Sequence, residues 1–242
     1  MPPENDVSAF PTAPARPRNG TETALAPVCL LDVDPELGAE LDNSSAGRAG
    51  LTVPVPVRTL ARGDWTPSDG LRKTLALLIV DGLVLRNDAT PGLESLTLYG
   101  PGDLIDVHRL AVDATWSVRR PATVAALDGH ILGKAREHPQ LLVALLRRLL
   151  GSGQEHHTLA AIARRTRVNE RLLALMTHFA GRWGKVTSDG VVVDLPLTHS
   201  ELGHLIGARR PTVTIAVAQL TEEGALKRLE AGRWLVQQSA PS

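Results

Sequence analysis

Residues 207–216 read GARRPTVTIA, and they interrupt an otherwise continuous helical pattern of apolar positions. Proline has no N–H and is poorly tolerated inside a helix, but it fits the first turn, where that N–H would have no partner. Pro211 therefore predicts a helix start rather than a break. Upstream, Thr198 followed three residues later by Glu201 has the spacing of a capping box ahead of Leu202, Leu205 and Ile206. Gly207 can end that short helix. Downstream, Val213, Ala216, Val217 and Leu220 recur at helical spacing and form one face, while Arg209, Arg210, Thr212, Thr214, Ile215 and Gln219 fall on the other. The pattern predicts two helices joined by a tight turn, the second with cations and hydroxyls at its N-terminus.

Two helices so joined form a helix-turn-helix, whose second helix enters the major groove of DNA with its N-terminal residues against base edges. Its N-terminus also favours phosphate. The plainer reading is a helical hairpin with a solvated face. The following residues favour the first. Glu223-Gly224-Ala225-Leu226 ends the second helix, and LKRLEAGRWLV, 226–236, reads as a hairpin turning at Glu230-Ala231-Gly232. A hairpin directly after a recognition helix is a wing.

The 242 residues suffice for one large or two modest domains with real apolar cores. Cys29 is the only cysteine, which excludes an internal disulfide and a cysteine-rich zinc or iron–sulfur site. The N-terminal residues 1–24 are rich in proline and polar residues where a signal peptide needs an apolar segment, and no later run is long enough to span a membrane. A soluble, cytoplasmic protein with a disordered tail over 1–24 is expected. The formal net charge is zero, yet from Leu159 onward there are 11 Lys+Arg against 7 Asp+Glu, and before it 15 against 19. A basic segment joined to an acidic one is the footprint of a DNA-binding domain attached to something else.

From Val28 to Asp42 the pattern suggests a short helix, and from Ser44 to Gly50 a loop. Between Leu51 and about Leu127 short β-rich runs alternate with Gly, Pro and Asp turns, the pattern of a barrel or sandwich. Asp81-Gly82 inside this region is a hairpin signal. Asp128 to His138 then reads as a short helix. His138-Pro139 opens a strongly amphipathic one, with Leu142, Leu145, Leu146, Leu149 and Leu150 as an apolar stripe suited to a dimer seam. Gly151-Ser152-Gly153 is expected to interrupt it before helical pattern resumes. Val168 to Trp183 forms a further helix, and Gly190 to Asp194 a short strand.

The order β-roll, long central helix, winged helix-turn-helix resembles the Crp/Fnr family of bacterial transcription regulators. The resemblance is strongest over LPLTHSELGHLIGARRPTVTIAVAQLTEEGALKR, 195–228, and weaker over LIVDGLVLR, YGPGDLIDV and 128–183. It implies an α+β fold with an N-terminal β-roll over 25–138, a central dimerisation helix over 139–167 and a winged helix-turn-helix over 168–242. It also implies a homodimer on palindromic double-stranded DNA, with RNA polymerase as a further candidate partner and an effector in the roll. Carried onto this chain, the recognition positions are Arg210, Pro211 and Ile215. Arg210 suits a bidentate contact to guanine, and Ile215 an apolar contact to a thymine methyl. Arg209, Thr212 and Thr214 are assigned to phosphates or a flanking base, with Thr198 and Ser200 on the first helix and Arg233 in the wing completing the expected interface.

The chain departs from the cyclic-AMP-binding members of that family. After Gly102-Asp103-Leu104-Ile105, Asp106-Val107 stands where those members carry Gly-Glu, and Val112-Asp113 lies near the expected Arg-Ser. A phosphate would meet carboxylates where it needs a guanidinium. Arg119 and Arg120 are close by, but at the wrong spacing, and are read as surface residues on a strand. His108 could suggest haem, and His156-His157 metal, but a lone His is more often a packing residue and adjacent helical residues point to different faces. No cofactor is expected, the effector stays unassigned, and no enzyme motif is present. A second reading from another class stays open: a protein-interaction module whose winged helix contacts a partner.

Overall fold

The computed structural model describes residues 22–24, 27–42, 53–66, 74–90, 93–107 and 114–237. The expected loop Ser44–Gly50, the tail residues 1–21, and His108, Val112 and Asp113 lie outside them. The chain opens with β1 (Glu22–Ala24), β2 (Val28–Cys29), α1 (Leu30–Val33) and α2 (Pro35–Asp42). The expected single helix over 28–42 is two, because Asp34 is extended before Pro35 and its carboxylate instead accepts from the Leu37 amide at 2.9 Å. Glu22–Ala24, read above as the end of a disordered tail, pairs with β4.

The roll comprises β3 (Pro54–Val55), β4 (Val57–Leu60), β5 (Gly63–Trp65), β6 (Thr74–Thr90), β7 (Leu93–Tyr99), β8 (Leu104–Asp106) and β9 (Ala114–Asp128), with β2 and β3 forming a separate small pair. Its main sheet runs β1-β4-β9-β6-β7, with β5 on β9 and β8 on β6. Alternation along β9 puts Trp116, Val118, Ala122 and Val124 inside with Trp65, Leu77, Ile79, Val84 and Ile105. The Asp81-Gly82 hairpin does not form. β6 passes straight through, and the pairing with β9 shifts register between Ile79 and Val84, a bulge. Gly82 has φ +102°, and a Cβ there would overlap the backbone of Ala122, so the glycine permits a close strand approach rather than a turn.

Asp128 caps α3 (Gly129–Glu137) by accepting from the His130 amide at 2.9 Å, and α4 (Pro139–Ala163) follows with Pro139 in its first turn. The interruption expected at Gly151-Ser152-Gly153 is absent: α4 is continuous over 25 residues. Two glycines in a helix weaken it but do not break it when the turns on either side are well anchored. Here Leu141 and Ala144 bury against the roll and Ile162 against the C-terminal core. Among the described residues no helix is long and apolar enough to cross a membrane.

The C-terminal part contains α5 (Val168–Trp183), β10 (Lys185–Thr187), β11 (Gly190–Asp194), α6 (His199–Ile206), α7 (Arg210–Glu222), β12 (Leu226–Arg228) and β13 (Arg233–Val236). Its sheet runs β10-β11-β13-β12. Leu172, Leu175, Met176 and Phe179 of α5 meet Leu202, Ile206, Val213, Leu220 and Trp234 in one core, and Leu83, Leu85 and Leu98 of the roll belong to the same cluster. The C-terminal domain is therefore packed onto the roll.

Candidate nucleic-acid interface

The interface begins with a helix start. Thr198 Oγ1 accepts from the Glu201 amide at 3.2 Å, and Glu201 Oε2 accepts from the Thr198 amide at 2.7 Å, completing the capping box. Leu202, Leu205 and Ile206 bury one side of α6. Gly207 ends it at φ 63°, ψ 44°, the left-handed conformation in which glycine avoids a Cβ penalty. Two residues later α7 begins, with Arg209 as its uncapped N-cap and Pro211 in its first turn. No side chain satisfies the leading N–H groups of α7, and its positive dipole end faces outward.

Val213, Ala216 and Leu220 bury the inner face of α7, while Arg209, Arg210, Thr212, Thr214 and Ile215 are exposed. Ile215 is 59 % exposed, so its apolar side chain stands open beside Arg210's turn of the helix. Thr198 and Ser200 are exposed at the start of α6. Arg233 is exposed at the start of β13, its Nε directed at the Glu230 carbonyl at 3.4 Å. The wing turns through Glu230–Gly232, with Ala231 at φ 58°, and is anchored by buried Trp234, whose Nε1 donates to the Leu195 carbonyl at 3.2 Å. The expected residues thus lie at two adjoining helix N-termini and a neighbouring wing, all open to solvent.

Periodicity gave no sign of two further residues here. His199 Nδ1 lies 2.9 Å from Thr214 Oγ1, joining α6 to α7. Burial lowers the His199 pKa, and the Arg228 and Arg210 charges push it the same way. Arg228 itself lies over the Trp234 ring at 5.5 Å, exposed at the end of β12. The only sequence cue was adjacency: His199 follows the cap residue, and Arg228 precedes the wing turn.

Arg119 and Arg120 are not free surface residues. Arg119 pairs with Glu201, the capping-box carboxylate of α6. Arg120 bonds Asp81 at 2.7 Å and lies 3.9 Å from Asp194 of β11. β9 of the roll thereby meets the C-terminal part at two points, a role invisible to strand alternation because the partners, Glu201 and Asp194, come from distant elements. Nearby, burial raises the Asp103 pKa despite the paired Arg182, and Arg182 also meets Glu155 at 3.1 Å. These groups line a cavity of about 420 Å³ between the roll, α4 and α5, with Arg86, Asp88, Asp106, Tyr99 and Trp116 on its other walls. Arg86 is already paired with Asp88 at 2.6 Å. His156 and His157 are both exposed, and among the described residues no three potential ligands gather as a metal site.

Comparison with known proteins places this geometry. Residues 166–238 match the family described as the Crp-like helix-turn-helix domain. No curated protein matches the chain. Among solved structures, FixK2 from Bradyrhizobium japonicum is 16 % identical with a TM-score of 0.60, covering 77 % of this chain and 94 % of that one. A CooA mutant from Carboxydothermus hydrogenoformans is 18 % identical with a TM-score of 0.57, covering 76 % and 84 %. TTHB099, a transcriptional regulator of the CRP family from Thermus thermophilus, is 19 % identical with a TM-score of 0.56, covering 74 % and 91 %. Residues 166–238 thus resemble the Crp-like helix-turn-helix domain, and the chain as a whole shares the fold of these solved structures.

Proposed function

We propose that this chain is a DNA-binding transcription regulator that acts as a two-fold dimer on a palindromic operator. The observation that carries the reading is the N-terminal edge of α7: Arg209, Arg210, Thr212 and Ile215 are exposed together on a helix whose other face is fully packed. A protein-binding winged helix has no need of two adjacent arginines at an uncapped helix start, whereas a duplex supplies phosphates for that end and base edges for the residues beside it. Arg210 reads guanine and Ile215 contacts a thymine methyl. Arg209, Thr212, Thr198, Ser200 and the wing Arg233 meet the backbone. The second copy joins through the outer face of α4, where Leu142, Val143, Leu146 and Leu150 are exposed.

The roll cavity does not suit a cyclic phosphate. Among the described residues its carboxylates Asp88, Asp103, Asp106 and Glu155 outnumber Arg86 and Arg182, and both of these arginines are already engaged by carboxylates. Regulation is therefore independent of cyclic AMP.

Fluorescence anisotropy of the full chain on labelled genomic duplexes across a salt series tests the reading. Log affinity should fall linearly with log salt, with a slope near −0.9 for each phosphate neutralised. Binding that is absent at low salt supports a protein-interaction module instead.

A further inference from the structure

Thr214 sits on the exposed side of α7, between Arg210 and Ile215 in the helical turn. A threonine there would ordinarily be assigned to a phosphate, because its hydroxyl can donate one hydrogen. That hydrogen is already used. Thr214 Oγ1 donates to the Arg210 carbonyl one turn back at 3.0 Å. The same oxygen lies 2.9 Å from His199 Nδ1 of α6. A hydroxyl has a single hydrogen, so with it on the carbonyl the second contact requires His199 Nδ1 to be the donor. The other ring nitrogen agrees with this tautomer: His199 Nε2 is buried without a hydrogen-bond partner, so a proton there would have no acceptor. The chain His199 to Thr214 to the Arg210 carbonyl is directional and closed.

We infer that His199 is a positioning residue that turns Thr214 from a phosphate donor into an apolar, base-reading group. With the hydroxyl turned back onto its own helix and toward α6, the Cγ2 methyl becomes the outward group of Thr214. Thr214 and Ile215 are successive exposed residues of α7, and their methyl groups are the apolar atoms that the helix offers after Arg210. In the major groove the complement of such a surface is the C5 methyl of thymine. A phosphate, which has no hydrogen to give, could compete only with the Arg210 carbonyl for the Thr214 hydrogen, and in the folded chain that hydrogen is already on the carbonyl. This rests on the DNA-binding reading and refines it, assigning a second thymine in each half-site to Thr214.

The test uses the full chain and the duplex it selects from a random library, in which each thymine of the half-site is replaced in turn by deoxyuridine, removing one methyl group. Wild type should lose about fourfold in affinity at the Thr214 thymine, the ratio expected for one buried methyl. Thr214→Val, which keeps the methyl and loses the hydroxyl, should retain that ratio. Thr214→Ser, which keeps the hydroxyl and loses the methyl, should abolish it at that position alone. Ile215→Ala should abolish the ratio at a different thymine. His199→Ala, which frees the hydroxyl to rotate, should reduce the Thr214 ratio while the salt slope stays unchanged. If Thr214→Ser still discriminates at every thymine, or Thr214→Val weakens all duplexes alike, the hydroxyl contacts DNA and the inference is overturned. Wild type that selects no duplex at all overturns the DNA-binding reading instead.

Discussion

Among single residues, Arg210, Ile215 and His199 carry the proposed recognition. Arg210 is exposed at the first position of α7, with the reach and fork geometry for the O6 and N7 of guanine. Arg210→Ala should therefore remove one guanine from each half-site of the selected consensus, a loss of about 1–3 kcal/mol of discrimination at that base pair. A mutant that keeps the consensus and binds all sequences more weakly would leave Arg210 as a phosphate anchor. His199 gives a pH prediction. Its folded pKa lies below the usual histidine value through burial, then the charges of Arg228 and Arg210, the cations that face it from β12 and α7. The unfolded chain thus binds the proton more readily. The stability that neutral His199 supplies is fully present above about pH 6.5 and is lost as pH falls through the depressed folded value. Thermal melts between pH 8 and pH 5 should show an acid-side decline that His199→Gln reduces. An unchanged decline would show that other groups govern it. Much of this local geometry was legible in the sequence, because helix starts announce themselves through Thr198, Glu201, Gly207 and Pro211. The bond from His199 to Thr214 was not: the two are fifteen positions apart, and neither periodicity nor capping rules specify which side chains meet across a turn.

At the scale of elements, the central helix divides its apolar residues between two tasks. Leu141 and Ala144 bury against the roll, Leu145 is half-buried beside them, and Arg148 pairs with Asp34 at the junction of α1 and α2. Leu142, Val143, Leu146 and Leu150 remain outside. The leucine stripe read from the sequence is thus two stripes, since an unbroken leucine run gives no indication of which turn faces the roll. Leu145 packs on the roll core and Leu149 lines the cavity, so neither isolates the proposed dimer seam. Leu142 and Leu146, one turn apart on the outer face, do. Replacing both with Glu should yield a folded monomer by light scattering, with affinity for the palindrome reduced at least tenfold because two half-sites no longer bind together. A double mutant that stays dimeric would place the interface elsewhere. The β elements were legible as a class but not in their joints. Asp81-Gly82 has the composition of a turn, yet β6 continues through it as a bulge because the residues on both sides of it, from Thr74 to Asp88, pair with β9. Likewise Gly151 and Gly153 lower helix propensity without ending α4, since tertiary anchoring on both sides outweighs roughly 1 kcal/mol per glycine.

At the scale of the molecule, the roll and the DNA-binding domain are physically joined. Leu83, Leu85 and Leu98 share a core with α5, α6 and α7, and Arg119 and Arg120 reach Glu201 and Asp194. The sequence marked the two domains by the shift from acidic to basic, but the seam between them was hidden, because its residues are spread over four strands and helices. Arg119 holds the same carboxylate that caps α6, so the roll touches the element that carries Thr198 and Ser200. Two such chains are proposed to present two α7 helices to one duplex. Selection of bound duplexes from a random library by the full-length wild type tests it most directly. The predicted result is an inverted repeat whose half-site centres lie one helical turn, about 34 Å, or a multiple of it apart, each half-site carrying one guanine and adjacent thymines. Enrichment of a single unpaired half-site, or of no sequence at all, would contradict the account.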